Sequence, residues 1–270
     1  MKTVKFGFIQ GRLTRPPKKN ILQYFPKKNW NKEFPLASKN GFSFIEYFGE
    51  RKKNIKNPIW SIKGLKKIKK LEKKYNLGSY SFCDDFFINN DILSYVKLDE
   101  YYNKLINNLS YLNIKIYVLA LMEKSEIKKN NLTKFVLILR KISKLLATKK
   151  IKFALETNLS HLLFKRLIQL INHKNLYLVY DTGNRLKTGK LQYKEILKLK
   201  KNIIHIHLKD KNYKGENVVF GTGNVDLIKI FKALNKIDYK GRFTFETNRG
   251  SDPTKTMINN KKLVLNLLRN

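Results

Sequence analysis

Apolar and polar positions follow two alternating rhythms along the chain, and each rhythm predicts one kind of element. Longer stretches carry apolar residues at helical spacing, for instance Ser61–Tyr75, Leu132–Thr148 and Asp226–Lys236. They alternate with eight short runs typical of strands, which are Val4–Gln10, Phe42–Phe48, Gly78–Phe82, Ile114–Leu119, Ile151–Glu156, Leu176–Asp181, Ile203–Leu208 and Arg242–Glu246. Eight strands, each followed by a helix-sized segment, predict an α/β fold, the (βα)8 barrel.

The alternation predicts one domain over residues 1–270, because no linker rich in Pro, Gly or Ser interrupts it. A length of 270 residues is typical of such a barrel, and 42% hydrophobic residues are enough for a sizeable core. The loop from Gly11 to Asn29 is long and basic and contains Pro16 and Pro17. A loop of that length inside a compact domain is often functional.

The net charge of +37 raises the question of a nucleic-acid or membrane partner. The lysines, however, are spread along the chain on amphipathic stretches such as KGLKKIKKLEKKY and KEILKLKK. Lysine on the outer face of a helix keeps its charge in water while its stem covers apolar surface. We therefore expect a solvated basic exterior, no specific nucleic-acid partner and no membrane partner. The charge would still help to concentrate anionic substrates.

The sequence predicts a soluble cytoplasmic protein. Its first residues, MKTVKFGFIQ, reach Gln10 and Gly11 before a long apolar stretch forms, unlike a secretory signal. No apolar run approaches the length of a membrane span. The single cysteine, Cys83, excludes an intrachain disulfide and fits a reducing compartment.

Two of the predicted strands end in nearly the same residues, FALETN and FTFETN, which place Glu156 and Glu246 at strand ends. The two strands between them end in VYDTGN and HIHLKD, which adds Asp181 and His207. The carboxyl ends of parallel barrel strands open on one face, so we expect these four side chains to meet there. Three carboxylates and one imidazole suit a divalent ion such as Mn²⁺, Mg²⁺ or Co²⁺, with positions left for substrate oxygens.

Each of these residues taken alone also fits a structural role. A strand-end glutamate is often solvated or caps a helix, and Asp181 fits a turn. A core histidine is an alternative for His207, and His205, on the same side of the strand, competes with it. We prefer His207 because it lies nearer the carboxyl end. Matched positions in consecutive strands favour the metal site, whereas His161 and His173 are read as structural.

The motifs ALETN, VYDTGN, IHLKD, VVFGTGNVD and YKGRFTFET together resemble the xylose-isomerase-like TIM barrels. This sugar-phosphate isomerase/epimerase group also contains ketose 3-epimerases and inosose dehydratases. The resemblance covers nearly the whole chain. The segments GFIQGRL, FPKKNWNKEFPLASKNGFSFIEYF and SFCDDFF look like the branch often associated with polysaccharide sugar biosynthesis.

In epimerases of that group, the residues matching Glu156, Asp181, His207 and Glu246 bind one divalent metal, and the two glutamates exchange protons with the sugar. The resemblance therefore implies one bound ion, with Mn²⁺ as first choice and Mg²⁺, Co²⁺ or Zn²⁺ as alternatives. Relatives are often dimers or tetramers, so a homo-oligomer is in keeping with the family.

The function implied by the resemblance is a metal-dependent isomerase or epimerase whose partner is a small-molecule sugar or sugar phosphate. The metal would polarise a ketose carbonyl and stabilise the enediolate formed when a neighbouring C–H loses its proton. Removal by one glutamate and return by the other, Glu156 and Glu246, gives an epimer. Transfer by a single glutamate gives aldose–ketose isomerisation. A dehydratase acting on a cyclic polyol is a further alternative.

Five more residues are candidates near this site. Arg12 and Arg249 lie just beyond the first and last strands, where a guanidinium suits a phosphate or an acidic sugar group. Asn184 replaces the histidine of the DTGH found in many epimerases, so it donates a hydrogen bond but does not exchange protons near neutral pH. Lys209 is a further substrate-binding candidate. Asp210 either orients the metal-binding histidine or forms a surface ion pair.

Two other classes of function are alternatives. An apurinic endonuclease of the same superfamily requires a three-zinc site with several histidines, and the first 160 residues contain none. A sugar-binding or partner-binding barrel without turnover has no need of both glutamates, so the complete ligand set argues against it. The segment FGTGN, at Phe220–Asn224, is predicted to be a tight turn without the third glycine of a dinucleotide fingerprint.

Overall fold

The computed structural model describes residues 4–17, 21–187 and 191–269, and it confirms the predicted barrel. All strand pairs are parallel and run in sequence order, and the first strand closes the barrel by pairing with the last. The strands are β1 Phe6–Ile9, β2 Phe44–Gly49, β3 Ser81–Asp84, β4 Ile116–Ala120, β5 Lys152–Glu156, β6 Leu176–Asp181, β7 Ile203–Leu208 and β8 Phe243–Phe245.

An outer layer of helices surrounds the strands. Its members are α1 Glu33–Lys39, α2 Ile62–Tyr75, α3 Phe86–Asn89, α4 Leu98–Tyr111, α5 Val136–Thr148, α6 His161–Ile171, α7 Gln192–Leu199, α8 Leu227–Lys236 and α9 Pro253–Arg269. The three helices predicted by spacing are confirmed, and each begins slightly later than expected. Ser61 and Asp226 are the N-caps of α2 and α8, and Leu132–Phe135 forms a 3-10 turn before α5. No helix in the described ranges combines the length and apolarity needed to cross a membrane.

Helix α2 shows why the basic stretches form the outer layer. The hydroxyl of Ser61 accepts a hydrogen bond from the backbone N–H of Gly64 (3.1 Å), and the helix ends where Asn76 adopts a left-handed conformation. Leu65 and Ile68 are buried, whereas most of the lysines of the helix are exposed. The reading of the lysines as a solvated outer face is therefore confirmed for this helix.

Polar side chains from four strands meet inside the barrel. Glu46 of β2 accepts hydrogen bonds from Ser81 of β3 and Thr244 of β8, and it lies 2.6 Å from His205 of β7. Glu46 and His205 are both fully buried. Because alternate residues of a strand face the same side, His207 also points inward, one step nearer the carboxyl end. This polar layer therefore lies directly beneath the face where the strand ends converge.

We predict that Gly64→Ala destabilises the protein, although alanine normally favours a helix. An added Cβ would lie 2.2 Å from the backbone oxygen of Pro58, in the 3-10 turn that packs on α2. Backbone atoms at that distance must move, and such overpacking costs about 1–3 kcal/mol. Urea unfolding would measure the loss. Gly78→Ala is the control, because its nearest neighbour is the Ser43 oxygen at 3.7 Å; equal stability of the two variants would contradict the prediction.

Candidate metal centre

The four residues predicted at strand ends lie together in the structure. Glu156 and Asp181 end β5 and β6, His207 lies in β7, and Glu246 follows β8 directly. All four are buried, and each offers a ligand atom within 4.8 Å of the others. The Nδ1 atom of His207 lies 3.4 Å from Oε2 of Glu156 and 3.2 Å from Oε2 of Glu246. The parallel register produces this convergence, since it pairs Asp181 with His207.

The chemistry of this donor set fits a divalent cation. Carboxylate oxygens and an imidazole nitrogen are the ligands that Mn²⁺, Mg²⁺, Co²⁺ and Zn²⁺ accept. A second group in the described part of the chain, Glu46, His205 and His207, also has the right residue types. Its atoms, however, contact one another at 2.6 and 2.7 Å, which is hydrogen-bond distance. The strand-end set is therefore the candidate metal centre.

Lys209 balances part of the negative charge of the candidate metal centre. Its ammonium lies 3.1 Å from Oδ2 of Asp181 and contacts Oε1 of Glu246. Burial and the two glutamates raise the pKa of Asp181 to about 6, although Lys209 acts in the opposite direction. Burial also disfavours ionisation of Glu246, but Lys209 and His207 outweigh it and hold the pKa of that carboxyl well below its usual range. Glu246 is thus an anion throughout the neutral range.

The segment Asp181–Asn184 holds the carboxylates in place. The backbone N–H of Asn184 donates to Oδ1 of Asp181 (2.6 Å), and its side-chain amide donates to Oε1 of Glu156 (2.7 Å). Gly183 gives room to the stem of Lys209, because a Cβ at this position would lie 2.8 Å from Cγ of the lysine. The glycine and the asparagine of this motif therefore have separate roles around the same carboxylates.

A cavity of about 700 Å³ opens above these residues. Glu156, Asn184, Lys209 and Glu246 lie on its lining, and a volume of this size is typical of small-molecule sites, about 300–1,000 Å³. The remainder of the lining is partly apolar and partly charged, with apolar groups such as Phe48, Ile88 and Met122, cations such as Lys27, Arg51 and Lys52, and the carboxylates of Glu50, Asp85 and Glu123. The cavity therefore offers both ring-stacking surface and charge to a polar ligand.

Arg12 and Arg249 are buried and hold residues 21–23 of the first loop, to which Arg12 itself belongs. Arg12 donates to the backbone oxygen of Leu22 and to Oε1 of Gln23 (2.9 Å). Arg249 donates to the backbone oxygens of Ile21 (2.7 Å) and Leu22 (2.9 Å). Neither arginine is on the cavity lining, so binding of a substrate anion by them stays a prediction. Residues 18–20 of the long loop predicted from sequence lie outside the described residues.

Two polar residues on the cavity lining, Gln23 and Asp85, are not among the residues predicted from the sequence. The amide of Gln23 donates to Oε1 of Glu246 (3.3 Å), so the first loop contacts the candidate metal centre directly. Asp85 is buried on the cavity wall, and burial together with the negative charges of Glu246 and Glu156 raises its pKa to about 7. The only signal for Asp85 was its place after a strand in FCDD. The irregular loop left no signal for Gln23.

The structure corrects the role expected for Asp210. Its Oδ2 accepts hydrogen bonds from the backbone N–H groups of Gly221 and Gly223, both at 2.9 Å, and its Oδ1 accepts one from Val225 (3.3 Å). The aspartate is buried, so it forms no surface ion pair either. The predicted turn at Phe220–Asn224 is confirmed, and its Gly-x-Gly binds a carboxylate from the same chain.

The carboxylate on the Nε2 side of His207 is Glu46. Oε1 of Glu46 lies 2.7 Å from Nε2 of His207, on the side of the ring away from the candidate metal centre. Burial disfavours ionisation of Glu46, but His207 and His205 outweigh it and hold its pKa below the usual range. Glu46 interrupts the apolar run FIEYF, which was the available sequence signal. Its partners could not be read from that run, because His205 lies 159 positions away.

The model of the xylose isomerase-like TIM barrel family matches residues 34–265, so the chain belongs to this family. An uncharacterized protein of Methanocaldococcus jannaschii is 30% identical over 93 residues, which cover 33% of this chain. The matched region spans only 32% of the length of that curated relative.

Solved structures share the whole fold. The D-allulose 3-epimerase of Methylomonas sp. superposes with a TM-score of 0.76 at 19% identity, covering 98% of both chains. The IolI protein with a bound zinc atom superposes with a TM-score of 0.75 at 17% identity, again covering 98% of both chains. At these identities the likeness shows the fold, and the structural neighbours include sugar epimerases.

We predict that Asp210→Asn destabilises the protein without weakening metal binding. An asparagine keeps one acceptor oxygen and brings an N–H₂ group toward backbone N–H groups, which leaves a buried donor unpaired. The expected loss in the free energy of unfolding is about 1–3 kcal/mol, measured by urea unfolding beside calorimetric metal titration. The control is Asp226→Asn, since Asn is an equally good N-cap for α8. Weaker metal binding at unchanged stability would instead support the role in which Asp210 orients the metal-binding histidine.

Proposed function

We propose that the protein is a divalent-metal-dependent isomerase or epimerase of a sugar or sugar phosphate. The observation that carries the proposal is the convergence of two glutamates, an aspartate and a histidine at one point, with both glutamates on the lining of a cavity. Glu156 and Glu246 are the proposed acid and base, and with Asp181 and His207 they are the proposed metal ligands. The chemistry would be proton abstraction next to a carbonyl, through an enediolate.

A divalent ion bound by these four residues would polarise the substrate carbonyl and stabilise the negative charge that develops on its oxygen. Mn²⁺ is the first candidate, because a carboxylate-rich set with a single imidazole is an intermediate-to-hard site. The proton transfers themselves would be carried out by Glu156 and Glu246.

The two glutamates approach His207 from different strands, β5 and beyond β8, and both line the cavity. Each keeps one carboxylate oxygen near His207 and has its other oxygen hydrogen-bonded, Glu156 by Asn184 and Glu246 by Gln23. Fixed carboxylates on two sides of one site suit removal of a proton from one face of a carbon and its return to the other. This arrangement favours epimerisation over simple isomerisation.

The remaining polar groups of the cavity suit a polyol. Asn184 and Lys209 are proposed to donate to substrate oxygens, and Asp85 is placed to exchange a hydrogen bond with a hydroxyl. The cations on the cavity lining are compatible with a phosphate on the substrate, and they include Lys27, Arg51 and Lys52. The structure of the Methylomonas epimerase in complex with D-allulose supports a small ketose as the substrate class.

We predict that Glu246→Gln strongly slows proton exchange while the protein stays folded. Glutamine keeps the shape of the side chain but is no base, so the rate should fall by about 10²–10⁴-fold. The measurement is NMR of ketoses and ketose phosphates incubated with the Mn²⁺-loaded protein in heavy water. Deuterium should enter at the carbon next to the carbonyl.

Glu100→Gln is the matched control, since Glu100 is an exposed residue of α4. It should exchange protons at the wild-type rate. Full activity of Glu246→Gln would contradict the two-glutamate mechanism. Incision of abasic DNA by the wild-type protein, with no exchange on any ketose, would instead indicate the endonuclease class.

A further inference from the structure

The barrel interior contains a glutamate that the proposed chemistry does not use. Glu46 lies in the middle of β2, is fully buried and is not on the cavity lining. A buried carboxylate is costly unless several donors satisfy it. The identity of those donors therefore indicates what Glu46 does.

Each carboxylate oxygen of Glu46 contacts a different histidine. Oε1 lies 2.7 Å from Nε2 of His207, and Oε2 lies 2.6 Å from Nε2 of His205. Oε2 also accepts hydrogen bonds from the hydroxyls of Ser81 and Thr244 (3.0 Å for Thr244). Residues of three other strands thus hold Oε2, and Oε1 faces His207. Rotation of the carboxylate away from that ring would break the contacts of Oε2.

The contact with Glu46 determines which ring nitrogen of His207 carries the proton and which is left to bind a metal. A carboxylate only accepts hydrogen bonds, and the Nε2 contact is the shorter one, 2.7 Å against 3.2 and 3.4 Å at Nδ1. When a cation occupies the strand-end set, the single proton of a neutral ring therefore belongs on Nε2. With the proton on Nε2, a neutral imidazole has its lone pair on Nδ1. That atom is the one 3.4 Å from Glu156 and 3.2 Å from Glu246.

We propose that Glu46 is a positioning residue that fixes the orientation and tautomer of His207, so that Nδ1 is the metal ligand. Histidine ligands commonly donate their other N–H to a carboxylate in this way. His205 acts as the counterpart that holds the opposite oxygen of Glu46. The inference rests on the metal site of the proposed function, and it adds a residue that touches neither metal nor substrate.

The test is the substitution Glu46→Gln, which keeps size and shape. A glutamine has one acceptor oxygen and one N–H₂ group, so it cannot accept from both histidines. If its oxygen stays with His205, Ser81 and Thr244, its N–H₂ group faces Nε2 of His207 and forces the proton onto Nδ1. Zn²⁺ and Mn²⁺ affinity, measured by calorimetry, should fall by about 10–100-fold.

Glu72→Gln is the matched control. Glu72 is another buried glutamate that accepts hydrogen bonds, from Tyr47 (2.7 Å) and Ser79, but it contacts no histidine. It should lower stability and leave metal affinity at the wild-type value. Equal metal affinity of wild type and a folded Glu46→Gln would overturn the inference, as would an equal loss in both variants.

A second measurement needs no variant at position 46. In the Zn²⁺-loaded wild-type protein, ¹⁵N NMR should find the His207 proton on Nε2, with the resonance assigned by its loss in His207→Gln. A proton on Nδ1 would overturn the inference even if Glu46→Gln fails to fold. If the proposed function were wrong and the inference on Glu46 right, the result would differ. The wild-type protein would then bind metal but exchange no protons with any ketose.

Discussion

The burial of carboxylates inside a highly basic protein is the constraint on which the rest of the structure depends. Ten of the 20 Asp and Glu residues are buried, whereas Lys209 is the single buried lysine in the described part of the chain. A carboxylate away from water must be given donors or cations. Most of the lysines therefore lie on the surface, whereas half of the carboxylates lie inside, in contact with hydrogen-bond donors or cations.

These partners form two connected levels along the barrel axis. In the lower level, Glu46 is held by residues of three other strands. In the upper level, Glu156 and Glu246 approach Nδ1 of His207 from two sides. His207 belongs to both levels, so the contact with Glu46 in the lower level also holds the ring that Glu156 and Glu246 approach. Rigid strands hold reactive groups more accurately than loops do.

The barrel and the strand-end residues were predictable because both follow from regular geometry. Strand ends in a parallel barrel converge whatever the loops do, so Glu156, Asp181, His207 and Glu246 could be assigned from order alone. Contacts that depend on side-chain direction could not. Asp210 is three positions from His207 in sequence, yet its carboxylate binds the turn at Gly221 and Gly223. Glu46 and Gln23 find their partners across the barrel, at separations of 159 and 223 residues.

The attachment of the first loop has a consequence for the rigidity of the cavity wall. Four guanidinium hydrogen bonds from Arg12 and Arg249 tie residues 21–23 to the barrel. Hydrogen bonds to charged groups contribute about 1.5–3 kcal/mol each, so displacing this part of the wall is costly. Elsewhere on the lining, exposed Arg51 pairs with Glu123. An ion pair between exposed side chains contributes about 0–1 kcal/mol, so this part of the lining is held far less firmly than the wall formed by residues 21–23.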